Sequence, residues 1–250
     1  MNGAAIEVAD VLRSYGEQYL QQYPGSLLQE RIIDNLTACR TAVLGGHVRR
    51  CSECDHQEIA YNSCRNRHYP KCQRGKQADW MEKQQDNLLD VPYFHIVFTL
   101  SQPLGPLALQ NKRLLYGLLM QRAADTLLRI ARDPRHLGAR IGFTAILHTW
   151  GQTLLHHPHV HCLVPGGGLS PDAKCWIPSR KGFFLAVRVL SRVFRGSYLE
   201  ELSRLYQQDK LTLQGRLEAL RQPKRWMEFV NQLRRIEWVV YGKSPFGSAG

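Results

Sequence analysis

Apolar residues return every three or four positions through AIEVADVLRSYGEQYLQQY and SLLQERIIDNLTACRTAVL, and Pro24-Gly25 separates the two runs. That period predicts two helices within residues 5–43. From Leu44-Gly45-Gly46 to about Gly75 the pattern is lost: aliphatics become scarce, while Cys, His and Arg accumulate. Helical spacing resumes over residues 76–90 and stops at Val91-Pro92. PYFHIVFTLS then alternates aromatic and β-branched residues, the period of a half-buried strand, ended by Gln102-Pro103. An amphipathic helix is predicted over 106–133, with Leu114, Leu118, Leu127 and Leu128 available to the core. Two strands follow, ARIGFTAILHTW and HPHVHCLVP, joined by a hairpin near Gly151-Gln152. CWIPS reads as a short strand or turn, helices are expected at about 186–208 and 210–235, and RIEWVVYGK reads as a last strand. No internal repeat or low-complexity linker interrupts this order, which predicts an α+β fold of helices, a small polar insert and an antiparallel sheet.

A chain of 250 residues can bury a substantial core. Its charge narrows the function: 33 Lys+Arg against 21 Asp+Glu gives +12. Such an excess favours a polyanionic partner, because each cation set against a phosphate releases condensed counterions. No apolar run approaches the ~20 residues of a membrane span. The start, MNGAAIEVADVL, lacks the basic-then-apolar pattern of a secretory signal. The expectation is a cytoplasmic protein without a membrane, in which the seven cysteines serve as thiols or metal ligands rather than disulfides.

The polar insert is too poor in aliphatics to fold around its own core, so a metal is expected there. CSECDHQEIAYNSCRNRHYPKC opens with Cys51-x-x-Cys54 and offers Cys64, His68 and Cys72 about one hairpin later. A closed tetrahedral zinc site takes four such ligands. Cys51, Cys54 and Cys72 are the expected core of the set, with His68 or Cys64 as the fourth ligand and Cys39, on the preceding helix, a weaker candidate. Arg49, Arg50, Arg65, Arg67, Lys71 and Arg74 thread this segment and are candidates for contact with a DNA backbone; a solvated surface is the competing reading for each.

Residues 156–168, HHPHVHCLVPGGG, carry four histidines within six positions. In a strand, residues i and i+2 share a face about 6.6 Å apart, so His157, His159 and His161 project together while Val160 and Cys162 face the core. His159 and His161 are therefore read as ligands of one divalent ion; Pro158 leaves His156 and His157 less well placed. An ion with open positions polarises a phosphodiester during in-line attack, and imidazoles alone do not choose its identity.

These residues carry a resemblance. His159-Val160-His161 resembles the His-hydrophobic-His motif of the HUH endonuclease superfamily, and Phe98-Thr99-Leu100-Ser101 resembles the first-strand motif of rolling-circle replication initiators. Together with SCRNRHYPKCQRGK, LHTWGQTLLHHPHVHCLVPGGGLS and WVVYGKSPFG, the chain is similar over nearly its whole length to the rolling-circle insertion-sequence transposases of family ninety-one. The resemblance implies an N-terminal helical and zinc-binding domain over 1–88 and an HUH nuclease domain over 89–250, incomplete at its C-terminus. It implies structural zinc, catalytic Mg or Mn at His159 and His161, and single-stranded transposon ends as partner, cut and transferred by a tyrosine that becomes linked to a 5′-phosphate. His95 and His148 are candidates for the third ligand. Two departures stand out. Tyr69 replaces a cysteine of the family's His-Cys-Pro-x-Cys segment, and the helix expected to carry the nucleophilic tyrosine does not appear before Gly250. Tyr206 and Tyr241 are read as structural rather than as substitutes.

The alternatives are a protein that occupies transposon ends without cutting them, and a histidine-triad nucleotide hydrolase. The zinc knuckle, the basicity and Pro158 speak against the hydrolase.

Overall fold

The computed structural model describes residues 6–153, 155–182 and 184–247. The chain divides into two compact units, Met1–Leu88 and Leu89–Gly250.

In the first unit, α1 (Val8–Gln22) and α2 (Leu27–Thr37) start at reciprocal caps. Glu7 pairs with Asp10, and the Ser26 hydroxyl accepts from the Gln29 amide while the Gln29 side chain returns to Ser26. The Arg13 guanidinium donates to the Thr37 and Cys39 carbonyls and ties the helices together. A hairpin of β1 (Gly46–Arg50) and β2 (Gln57–Tyr61) follows, then α3 (Pro70–Gln85). Pro70 at the first turn explains why α3 begins six residues before its apolar spacing does: proline suits a position whose amide has no partner within the helix. Among the described residues the buried cluster is small: Ala9, Leu36, Cys39 and Tyr69, with Leu12, Ile32, Cys64 and Cys72 packed on it. So few apolar groups leave little to offset chain entropy, and cysteines make up much of the cluster.

The second unit is built on four antiparallel strands in the order β4-β5-β3-β8, namely β3 (Tyr93–Thr99), β4 (Thr144–Trp150), β5 (His156–Pro165) and β8 (Val240–Gly242). One face of the sheet is fully buried, through Phe94, Ile96 and Phe98 of β3 and Val160, Cys162 and Val164 of β5. It packs with α4 (Gly105–Gln110), α5 (Lys112–Arg132), α6 (Val187–Gln207) and α7 (Pro223–Arg235) in one core, where Phe194, Tyr198 and Trp238 meet ring to ring. The expected helix over 106–133 breaks at Asn111, whose side-chain amide leaves the helix to bond the Thr212 carbonyl and amide. The expected 210–235 helix is a 3-10 stretch, Gly215–Arg221, followed by α7. The last strand shortens to three residues because Trp238 turns into the core and sends its indole N–H to the Leu233 carbonyl.

The glycines after β5 have a steric reason. A Cβ at Gly167, which has φ +155°, would lie 2.5 Å from the Ile177 carbonyl oxygen of the adjoining two-stranded pair, β6 (Gly167–Leu169) and β7 (Trp176–Pro178). At Gly168 it would lie 2.5 Å from the Arg140 carbonyl. Only glycine lets these backbones approach so closely. Among the described residues, no helix is long and apolar enough to cross a membrane.

Candidate metal centres

The alternation that buries Val160 and Cys162 turns the odd-numbered residues of β5 to the other face of the sheet. Register does the rest. His148 on β4 pairs directly with His159, and Val97 on β3 pairs with His161, so imidazoles from neighbouring strands meet. His148, His159 and His161 offer ligand nitrogens within 4.8 Å of one another. Their ring centroids lie 4.4 Å apart for His148–His161, 4.8 Å for His159–His161 and 5.4 Å for His148–His159.

Hydrogen bonds behind this cluster set its direction. His159 Nδ1 lies 2.6 Å from the His157 carbonyl, which can only accept, so Nδ1 carries the proton and Nε2 keeps its lone pair. His161 Nδ1 lies 2.6 Å from Nε2 of His95, the two rings stacked at 4.9 Å. His161 Nε2 is buried and has no hydrogen-bond partner among the described residues. A buried nitrogen left unpaired costs free energy unless something binds it, and a divalent ion is a suitable partner. Burial, then the neighbouring His148, His159 and His95, pushes the His161 pKa down to about 4. Burial, with His159 adding, also lowers His148; burial, with Lys243 adding, lowers His95. These rings are neutral at pH 7, the form that ligates metal. His157 faces the same side but does not join the triad, and His156 points the other way, with Nε2 2.8 Å from the Tyr116 hydroxyl. His95 thus sits behind His161 rather than among the three converging histidines, of which His148 is the third.

In the first unit the converging thiols are Cys39, Cys64 and Cys72. Cys39 and Cys72 sulfurs lie 3.4 Å apart, and Cys64 and Cys72 lie 3.8 Å apart. A tetrahedron with zinc–sulfur bonds of ~2.3 Å has edges of about 3.8 Å, so the three sulfurs fit three of its corners. The Cys64 amide donates to the Cys39 sulfur at 3.3 Å. Burial pushes the Cys39 thiol up to about 11; at Cys72 burial is outweighed by bonds from Cys39 and Cys64, which hold it low. Tyr69, in the place of the missing cysteine, is buried in the same cluster and donates its hydroxyl to Glu7 at 2.7 Å.

Cys51 and Cys54 do not join that cluster. Both are exposed on the β1–β2 turn, where the Cys51 amide bonds the His56 carbonyl. His68 is exposed and bonded to Arg67. Cys39, the weaker candidate by spacing, lies just beyond α2 and comes to Cys64 and Cys72 only through the packing of the unit. Arg49, Arg50, Arg65, Arg67, Lys71 and Arg74 are all exposed, and two are already paired, Arg50 with Asp55 and Lys71 with Glu7. Residues 1–88 hold 11 Lys+Arg and 11 Asp+Glu, whereas residues 89–250 hold 22 against 10, so the whole surplus lies in the second unit. The remaining tyrosine candidates differ. Tyr206 stacks on Trp226 at 4.1 Å and donates to the Arg221 carbonyl, while Tyr241 stands exposed on the histidine face of β8.

Two family profiles match the chain, "Transposase zinc-binding domain" over residues 11–100 and "Putative transposase" over residues 142–250. The chain is 52% identical over 241 residues to "Putative transposase y4qJ" of Sinorhizobium fredii, covering 96% of this chain and 61% of that protein. It is 36% identical over 144 residues to "Transposase for insertion sequence element IS801" of Pseudomonas savastanoi pv. phaseolicola, covering 57% of this chain and 34% of that protein. No solved structure matches significantly.

Proposed function

Given that the chain belongs to the insertion-sequence transposases of family ninety-one, we propose that residues 89–250 act as an HUH-type, metal-assisted nickase and strand transferase in rolling-circle transposition. The chain spans 61% and 34% of the two relatives, and the activity proposed is that of the whole protein. One observation carries the reading: the buried, unpartnered His161 Nε2, aimed into a triad with His148 and His159. In it, these three hold a magnesium or manganese ion, which when bound polarises a phosphate of a single-stranded transposon end. The His157 carbonyl and His95 fix which nitrogen of His159 and of His161 faces the ion. Residues 1–88 carry structural zinc, with Cys39, Cys64 and Cys72 as its converging thiolates. The setting is cytoplasmic DNA, and the surplus positive charge of residues 89–250 supports a polyanionic partner.

The test is calorimetric titration of the zinc-loaded protein with Mn. Wild type should bind one equivalent, and His159→Ala and His161→Ala should bind none; equal binding by all three would sink the proposal.

A second reading, confined to what residues 1–250 do by themselves, is occupation of transposon ends without cleavage. Tyr206 is engaged within its own fold, and Tyr241 stands two strands from His161, about 9–10 Å at ordinary strand spacing. A labelled single-stranded end with Mn separates the two: a covalent protein–DNA band supports transfer, and retained binding without a band supports occupation.

A further inference from the structure

The histidine face of the sheet also presents large apolar side chains where an ordinary solvent face would be polar. On β4 the residues alternating with the core are Ile146, His148 and Trp150; at the far edge, Tyr241 of β8 and the preceding Val239 point the same way. Trp150 is 58% exposed, Tyr241 55%, Val239 60% and Ile146 40%. The register aligns Ile146, His161, Val97 and Tyr241 in one row across the four strands. Trp150 lies two residues beyond His148, its ring nearly parallel to that imidazole at 8° and 6.4 Å away. Three strand intervals separate β4 from β8, about 14–15 Å. Two exposed aromatic rings therefore stand at opposite edges of the sheet, with the histidine cluster between them.

Flat apolar rings on either side of the imidazoles ask for a partner with unpaired π-faces. Lys243, placed opposite His95 at the β8 edge, and the 22-to-10 cationic excess of residues 89–250 ask for that partner to be anionic. Single-stranded DNA satisfies both demands, because every base offers a stacking face and the backbone supplies the charge; paired bases in a duplex offer no free face to the sheet.

Resting on the reading of the histidines as the site of strand cleavage, we propose that single-stranded DNA crosses the sheet obliquely, from Trp150 at the β4 edge to Tyr241 at the β8 edge, whose row lies four residues, about 13 Å, back along β4. One base stacks on Trp150, another on Tyr241, and the phosphate between them lies at His148, His159 and His161. Stacking of this kind tolerates any base, so the two aromatics set the path and register of the strand rather than its sequence.

The experiment measures binding of fluorescein-labelled oligothymidylate, and of a duplex of equal length, to the full zinc-loaded chain by anisotropy in the presence of Mn. Trp150→Ala and Tyr241→Ala should each weaken single-strand binding about 5- to 150-fold, with duplex binding unchanged. Trp150→Phe and Tyr241→Phe should stay within about threefold of wild type, because a ring remains to stack on. Unchanged single-strand binding by both alanine variants would overturn the proposal, as would Tyr241→Phe being as damaging as Tyr241→Ala, which would assign the role to the hydroxyl. Sedimentation that shows a wild-type dimer dissociated by Trp150→Ala would also overturn it, making a second copy the occupant. Mn calorimetry on the same samples separates the two levels. Failure of wild type to bind Mn counts against the histidine site, whereas normal Mn binding with indifferent alanine variants counts against the aromatic path alone.

Discussion

His95→Phe isolates the group behind the metal-facing histidine. Phenylalanine keeps a flat ring in the stack, 4.9 Å and 12° from His161, and removes the nitrogen 2.6 Å from His161 Nδ1. His161 then has two poor choices. It can keep its proton on Nδ1, leaving a buried donor without an acceptor, at a cost of about 1–3 kcal/mol. Otherwise it can move the proton to Nε2, which blocks the lone pair that would face the ion. Both routes weaken the site, and loss of such a supporting contact ordinarily lowers metal affinity 10- to 100-fold. At about 1.4 kcal/mol per tenfold, that is about 1.4–2.8 kcal/mol, inside the range for the orphaned donor. The assay is Mn titration followed by electron paramagnetic resonance of free ion, with thermal melting to check the fold. His95→Phe should bind 10- to 100-fold more weakly, and His95→Gln, which restores an acceptor, should recover most of the loss. Wild-type affinity in His95→Phe would refute the argument that His95 orients His161.

The thiol assignment predicts that, in zinc-loaded protein, iodoacetamide modifies Cys51 and Cys54 quickly while Cys39, Cys64 and Cys72 are protected until a chelator is added, as read by peptide mass spectrometry. Protection of Cys51 and Cys54 would restore the set expected from spacing. Acidification should destabilise the metal-free protein. His161 titrates near 6.5 when unfolded and about 4 when folded, so from pH 6.5 down to 4 the unfolded state takes up the proton first. The melting-temperature advantage of wild type over His161→Gln should therefore shrink as pH falls through that window; a constant difference would contradict it. Tyr206→Phe should cost about 0.5–1.5 kcal/mol of stability through the lost bond to the Arg221 carbonyl, measured by urea unfolding. It should leave any covalent DNA adduct unchanged, and loss of that adduct with stability intact would make Tyr206 the nucleophile.

Periodicity is a local property, and what depends on it was legible in the chain. The i, i+2 alternation of His157, His159 and His161 against Val160 and Cys162 fixed which residues of β5 share a face, and the fold keeps that division. The first two helices follow from apolar spacing and the Pro24-Gly25 break in the same way. Element ends were less legible where one side chain redirected the backbone, as Asn111 and Trp238 do.

Ligand sets are not local. His148 meets His159 because β4 pairs with β5 in one register, and a shift of one residue would turn the other face of β4 to the cluster. Cys39 meets Cys64 and Cys72 across 25 and 33 residues, through the packing of α2 on the rest of its unit, while the conspicuous Cys51-x-x-Cys54 spacing leads to an exposed turn. Spacing in the sequence thus named the donors that one strand or one turn presents. Only the tertiary structure decided which of them converge, because convergence depends on contacts between segments whose separation along the chain carries no period.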